Sequence, residues 1–351
     1  MKTAVLYEKM QNKAVKCTAC SHYCIVADGR SGACGVRKNI DGKLQLLVYG
    51  KAAAVNLDPI EKKPFFHFLP GTDILSIGTI GCNYGCEFCQ NWDISQAARN
   101  VSHYTKMPGA LEIGKIEEFG QSLEPEKIVE YCIEHSIPSI AFTYNEPAIL
   151  SEYAYDTGKL AKKEGIKLVY VSNGYETEET IRYMEPVLDA INIDLKAFTE
   201  DFYHKVCHAR LEPVLENIRR VAKTKIWMEM TTLVIPGLND SAEELGQIAE
   251  FLAGIDKEIP WHITAFHPDY MMKGIKGTPL TTLLGGYKEG KKAGLKYVYV
   301  GNLSSPEHES TYCPGCGKKL VSRKGFMSMP TEHFSKGRCM DCKEKIPGVW
   351  K

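Results

Sequence analysis

The 351-residue chain lacks an apolar run approaching the roughly 18 residues needed to span a bilayer. Its first segment, MKTAVLYEKMQNKAVKC, is charged instead of apolar, so a soluble cytoplasmic protein is expected. Net charge is also missing. Forty-three basic residues balance forty-three acidic ones, which gives no global field to attract nucleic acid or an anionic membrane. There is no repeat of solenoid length, no low-complexity tract and no Gly/Ser-rich linker, so appended modules are expected to pack on the main body. With 44% apolar and 25% charged residues, one large core plus small modules is the expected organisation.

Cysteine, by contrast, is abundant, and the thirteen residues are grouped. Four stand at Cys17, Cys20, Cys24 and Cys34, three at Cys82, Cys86 and Cys89, and four at Cys313, Cys316, Cys339 and Cys342. Only Cys132 and Cys207 fall outside. Close spacing in a chain without a signal peptide favours metal coordination over disulfides. Cys132 lies in a helical pattern and reads as a buried small hydrophobe, whereas Cys207, beside His204 and His208, is either a helix residue or a reactive thiol.

From Ile74 onward, short apolar runs alternate with amphipathic stretches, the rhythm of βα units around a parallel sheet. Expected strands are Ile74 to Thr79, Ser139 to Tyr144, Lys167 to Ser172, Ala190 to Leu195, Trp227 to Ile235, Trp261 to Phe266 and Tyr297 to Gly301. Expected helices are Pro125 to His135, Ala148 to Glu164, Thr177 to Leu188, Leu211 to Lys223, Ser241 to Gly254 and Leu280 to Ala293. The fold class is therefore α/β, a partial or full parallel (β/α) barrel over residues 74–303. A cysteine-rich module over 1–73 would precede it, ending in a hairpin of Leu44 to Val48 and Ala52 to Leu57, and a ribbon-like module over 304–351 would follow. In such a barrel the reacting groups gather at the C-terminal strand ends. GCNYGCEFC, YNEP, SNG, DLK and HPD all fall there.

In GCNYGCEFC, three thiolates at Cys82, Cys86 and Cys89 can hold a four-iron four-sulfur cubane with one iron left open. An amino acid's amine and carboxylate can chelate that iron. A zinc knuckle or a ferredoxin site would need a fourth ligand, and none is obvious in the loop. Cys313-x2-Cys316 and Cys339-x2-Cys342 fit a two-knuckle zinc ribbon with a hairpin from Lys319 to Phe334 between them, and a rubredoxin-type iron site would use the same ligands. Cys17, Cys20, Cys24 and Cys34 offer four ligands for zinc or an auxiliary iron-sulfur cluster, with a lean to zinc. His22 could replace a thiolate there.

These residues resemble the radical S-adenosylmethionine (SAM) superfamily, whose signature is three cysteines at this spacing with an aromatic, here Phe88, before the third. The strand order is similar to that of glycyl-radical enzyme activating proteins. CTACSHYC, GACGVRKN, DPIEKKPFFHFLPG, YVYVGNL, CPGCG and the closing GVW resemble the radical enzyme of the AmmeMemoRadiSam system. The resemblance implies SAM bound at the open iron and a 5'-deoxyadenosyl radical that abstracts hydrogen from a substrate. Tyr144, Asn145 and Glu146 occupy the place of the family's Gly-Gly-Glu segment at the cofactor amine, with both glycines replaced. Ser172 and Asn173 would meet the carboxylate or ribose, Asp194 and Lys196 match the activating proteins' Asp-x-Lys pair, and His267 would lie near the ribose and adenine. An external one-electron reductant is implied, and a protein substrate or a partner of the same gene system is one reading. An activase, a radical enzyme acting on a small molecule, and a non-catalytic electron carrier or metal scaffold remain alternatives. No acid or base is nominated, although Glu229 on a barrel strand could face the substrate.

Overall fold

The computed structural model describes residues 1–98, 116 and 118–350. Eight strands form its central sheet: β1 (Ala54–Pro59), β2 (Asp73–Gly78), β3 (Ser139–Phe142), β4 (Lys167–Ser172), β5 (Ala190–Asp194), β6 (Trp227–Val234), β7 (Trp261–Ala265) and β8 (Val298–Gly301). They lie in simple chain order, β1 next to β2 and so on to β8. From β2 to β8 every pairing is parallel, and only β1 runs antiparallel to its neighbour. Among the described residues β1 and β8 do not pair with each other, so the sheet is an open, partial barrel.

The seven expected strands are all present, with ends within two residues of their expected positions. They are near-continuous apolar runs because helices on the outside and packed side chains on the inside bury both faces; all four residues of β3 and all five of β7 are buried. The intervening helices start where the sequence supplies a cap. Thr177 accepts from the Thr180 amide ahead of Glu178–Met184, and Ser241 accepts from that of Glu244 ahead of Ala242–Ile255. Helix Leu280–Ala293 comes so close to the sheet that a Cβ on Gly290 would stand 2.9 Å from Val298 and 3.1 Å from Trp261. Among the described residues, no helix is long and apolar enough to cross a membrane.

The expected hairpin before the barrel is not formed. Lys43–Leu46 pairs with Arg37–Ile40 and Lys2–Thr3, burying Leu44 and Leu46, whereas Ala54–Pro59 pairs with β2 in the main sheet. The return is made by residues 60–72, where Asp58 takes hydrogen bonds from Lys62 (2.8 Å) and Lys63 (2.7 Å). The expected boundary after residue 73 thus falls at the first residue of β2, inside a pair of strands.

At the other end of the chain, Lys319–Lys324 and Met327–Pro330 form the expected hairpin beside the C-terminal cysteines. This module docks on the 60–72 segment. Phe68 bridges Val349, the Leu69 amide donates to the Val349 carbonyl at 2.7 Å, and the buried Arg323 donates to the Phe66 carbonyl at 2.6 Å.

Candidate active site at the C-terminal strand ends

Cys82, Cys86 and Cys89 stand on the loop that leaves β2, at the same end of the sheet as the loops after β3, β4, β5 and β7. The loop is held from several sides. The Asn145 side chain donates to Thr79 Oγ1 (2.9 Å) and the Gly81 carbonyl (2.8 Å) and accepts from the Thr79 amide. Asn173 donates to Asn83 Oδ1 at 2.7 Å, and Asn91 to the Tyr144 carbonyl at 3.0 Å. The amides of Gly85 and Glu87 donate to the carbonyls of Cys207 and Val206, and the Met271 amide to the Glu87 carbonyl.

The thiols themselves are recessed. Cys82 and Cys86 are buried and Cys89 is half-buried. Burial pushes the Cys82 thiol well up and that of Cys89 to about 11, a cost that a bound cation removes. The Tyr84 amide donates to Cys82 Sγ at 3.4 Å, and Ser95 Oγ lies 3.1 Å from Cys89 Sγ. Among the described residues, these three do not gather within the 4.8 Å that marks the C-terminal quartet. In a cubane each thiolate binds its own iron corner, so three recessed, separated thiols fit that group better than one shared zinc ion.

A cation faces them. Lys196, just beyond β5, pairs with Asp194 at 2.8 Å, sits 5.6 Å above the Phe88 ring and is 11% exposed in its side chain. Burial works against its ammonium, but Asp194 and the thiols of Cys86 and Cys207 outweigh it, and the net shift is well upward. Its amide donates to Tyr203 Oη, and its carbonyl accepts from Asn239 Nδ2, which fixes the turn that carries it.

The other expected rim residues divide into two groups. Tyr144 occupies the left-handed region at φ 72°, a conformation glycine adopts without cost, and its hydroxyl turns away to Asp58 at 2.7 Å. Glu146, buried, accepts from the Ala148 and Asn173 amides and from Ser172 Oγ. Burial raises its carboxyl well above the usual range, and the facing Glu176 adds to this. Asn145, Glu146, Ser172 and Asn173 therefore spend their side chains tying strand ends together. His267 lies exposed just past β7, three residues before Tyr270, on which Trp92 stacks (5.3 Å, 11°).

Asn83, Asn91, Asn239 and Tyr203 carry roles that were not expected. Asn83 stands inside the cysteine motif itself, so its position held a signal; the other three are revealed by their long-range partners alone. Cys207 is fully buried on a π-turn, Tyr203–Cys207, against Cys86, which places it behind the cluster loop instead of on an open rim. Cys132 is the buried helix residue expected.

Glu229 is corrected. It lies near the N-terminal end of β6, away from the rim, and its two oxygens accept from the amides of Phe66 (2.9 Å) and His67 (2.8 Å), Trp227 Nε1 (3.0 Å) and His262 Nε2 (2.7 Å). His22 is turned to the cluster loop, with Nε2 2.8 Å from the Asn83 carbonyl.

The C-terminal quartet converges: Cys313 and Cys342 have sulfurs 3.4 Å apart, Cys316 and Cys339 3.6 Å apart, and all four lie within 4.8 Å. The Cys342 amide facing Cys339 pulls that thiol down to about 7.

A sequence model described as Radical SAM superfamily matches residues 76–252, which span the strands and loops of this rim from β2 to past β6. An uncharacterised protein of Methanocaldococcus jannaschii is 40% identical over 348 residues, 99% of each chain. A putative glycyl-radical enzyme activating enzyme of the same organism is 27% identical over 56% of this chain and 68% of its own. Among solved structures, a radical SAM methyltransferase from Sphaerobacter thermophilus is 14% identical, with 72% of this chain and 71% of that one covered at a TM-score of 0.49.

Proposed function

This chain belongs to the radical SAM superfamily, and from that premise we propose that it holds a four-iron four-sulfur cluster on Cys82, Cys86 and Cys89 and binds SAM at the iron they leave open. Held there, the cluster and SAM would supply one-electron reductive chemistry, with the electron from an external reductant, for removing a hydrogen atom from the substrate. The observation that carries this reading is the set of three recessed, separated thiols on a loop pinned by Asn145, Asn173 and Asn91.

The chain's own residues have positioning work. Lys196 offers a buried ammonium for the cofactor carboxylate, with Asp194 holding it in place. Phe88 and the backbone of Tyr144 line the same mouth, Ser172 and Asn173 shape the floor, and His267 stands at the outer edge for the ribose or adenine. Asn145 and Glu146 act through these groups, fixing the loops. Cys207 and Tyr84 close the back of the site against water. The C-terminal quartet is a closed zinc site that folds its module and takes no part in the chemistry.

The test is anaerobic. Protein reconstituted with iron and sulfide, reduced with dithionite and given SAM should form 5'-deoxyadenosine, and Cys86→Ala should form none. An intact cluster with no cleavage in the native protein would point instead to an electron carrier. A second reading, an activase that takes hydrogen from a partner protein, is favoured by the similarity to the putative glycyl-radical enzyme activating enzyme. A small-molecule radical enzyme of the AmmeMemoRadiSam kind is the other. A glycyl-radical protein encoded next to this one would separate them in favour of the activase.

A further inference from the structure

Cys17, Cys20, Cys24 and Cys34 are electrostatic neighbours, and three of the four are buried. Backbone amides serve them one by one: Ala33 donates to Cys24 Sγ at 3.4 Å, and the amides of Ala19, His22 and Val36 face the thiols of Cys17, Cys20 and Cys34. This is an arrangement for thiolates. Four inert buried thiols would need no such donors.

A zinc ion holds its sulfurs about 2.3 Å away, which brings them nearly into contact. The C-terminal quartet shows that geometry in this chain, with sulfur pairs at 3.4 and 3.6 Å. Among the described residues, no other group of three or more such ligands gathers within 4.8 Å, so the N-terminal four do not converge as the C-terminal four do.

Arg37 supplies a second, independent observation. It is 1% exposed, donates from Nε to the Ile149 carbonyl at 2.8 Å and from Nη2 to Glu152, and faces the thiols of Cys17 and Cys34. Its Nη1 is buried with no oxygen acceptor, and the guanidinium hydrogen-bonds toward the Cys17 thiol. A buried guanidinium turned to the thiols is what a cluster would use, because its thiolates and bridging sulfides both accept hydrogen bonds.

We propose that Cys17, Cys20, Cys24 and Cys34 hold an auxiliary four-iron four-sulfur cluster, with Arg37 Nη1 donating to its sulfur. Four thiolates close it, so it has no open iron for SAM and can only hold or pass an electron. It adjoins the radical site. His22, between two of the ligands, meets the Asn83 carbonyl at 2.8 Å, and a Cβ on Gly81 would stand 2.8 Å from the Cys34 carbonyl.

The test uses the full chain with Cys82, Cys86 and Cys89 all changed to alanine, isolated and reconstituted anaerobically. About four iron and four sulfide per chain should remain, with one zinc, and a paramagnetic signal after dithionite that SAM does not alter. The companion Cys17→Ala/Cys20→Ala should keep about four iron, whose signal SAM does alter. If that variant does not fold, the native chain decides through its iron content, about eight against about four. Two zinc ions and no iron in the triple variant would overturn the proposal while leaving the radical site intact. No response to SAM in the companion would instead count against the reading of Cys82, Cys86 and Cys89.

Discussion

Replacing Glu229 with glutamine separates a structural carboxylate from a substrate-facing one. In the native chain its oxygens take four donors, two of them the amides of Phe66 and His67 that begin the docking surface for the C-terminal module. Glutamine can keep the oxygen that faces His67 and Trp227, but it turns an NH2 group toward the Phe66 amide, donor against donor. His262 can change tautomer and accept. One stranded buried amide costs about 1–3 kcal/mol, and exchanging charge-assisted bonds for neutral ones adds about 1 kcal/mol. The expected loss is therefore about 2–4 kcal/mol of unfolding free energy, and Glu229→Leu, which strands all four donors, should lose more. Denaturant unfolding under argon at neutral pH measures it. At 20 °C, where the glutamine variant stays folded, its rate of 5'-deoxyadenosine formation should match the native rate. Unchanged stability with abolished cleavage would refute the structural role and return Glu229 to the reaction.

Lys196→Met removes the buried cation while keeping the length of the side chain, so SAM should bind about 10- to 100-fold more weakly, the worth of one charge-assisted hydrogen bond, with iron content unchanged; equilibrium dialysis reads both. Cys339→Ser opens the converged quartet, and zinc per chain should fall by one while residues 304–350 become protease-sensitive, with retained zinc as the contrary result. His67 is buried between the Pro347 carbonyl and the Tyr299 hydroxyl, and burial lowers its imidazole to about 4. Unfolded chains bind that proton near pH 6.5, so stability is complete above about 6.5 and should decline as pH falls toward 4, by about 3 kcal/mol in all. His67→Gln should flatten that slope relative to the native chain, and parallel slopes would sink the assignment.

What could be read from the chain and what could not differ by the range of the interactions involved. Strands β2 to β8 were legible because burial on both faces writes an unbroken apolar run, and a run such as LVYVS needs no knowledge of its neighbours. Pairing is another matter. Leu44 to Val48 and Ala52 to Leu57 both look like strands around a glycine, yet the second joins β2 because Asp58, Lys62 and Lys63 fold the following segment back. The cysteine motif was legible for the same local reason, since its ligands lie within eight residues of one another. Asn91, Asn239 and Tyr203 were not, because each is defined by an acceptor or donor on another loop. Glu229 shows the hazard of the reverse step: a lone carboxylate in an apolar strand suggests chemistry until its donors, 162 and 163 residues away, are seen.

The same distinction bears on the metals. Spacing alone left both flanking quartets open between zinc and iron, because spacing records how the chain departs from one ligand and returns to the next, not how far apart the sulfurs finish. Convergence is what separates the two in the proposal above. At the C-terminus two knuckles bring four sulfurs into near contact, and the hairpin between them has only to close the loop. At the N-terminus the ligands ride on a strand, a turn docked on Tyr175 and a loop wedged by Arg37 and Val36; the Cys17 amide ties the strand to the Cys24 carbonyl at 2.9 Å, and the turn and the loop also meet the barrel. No three of these thiols converge as the C-terminal four do, which is the basis for proposing a cluster there and not a single ion. That is why Cys17→Ala/Cys20→Ala should cost iron and not zinc.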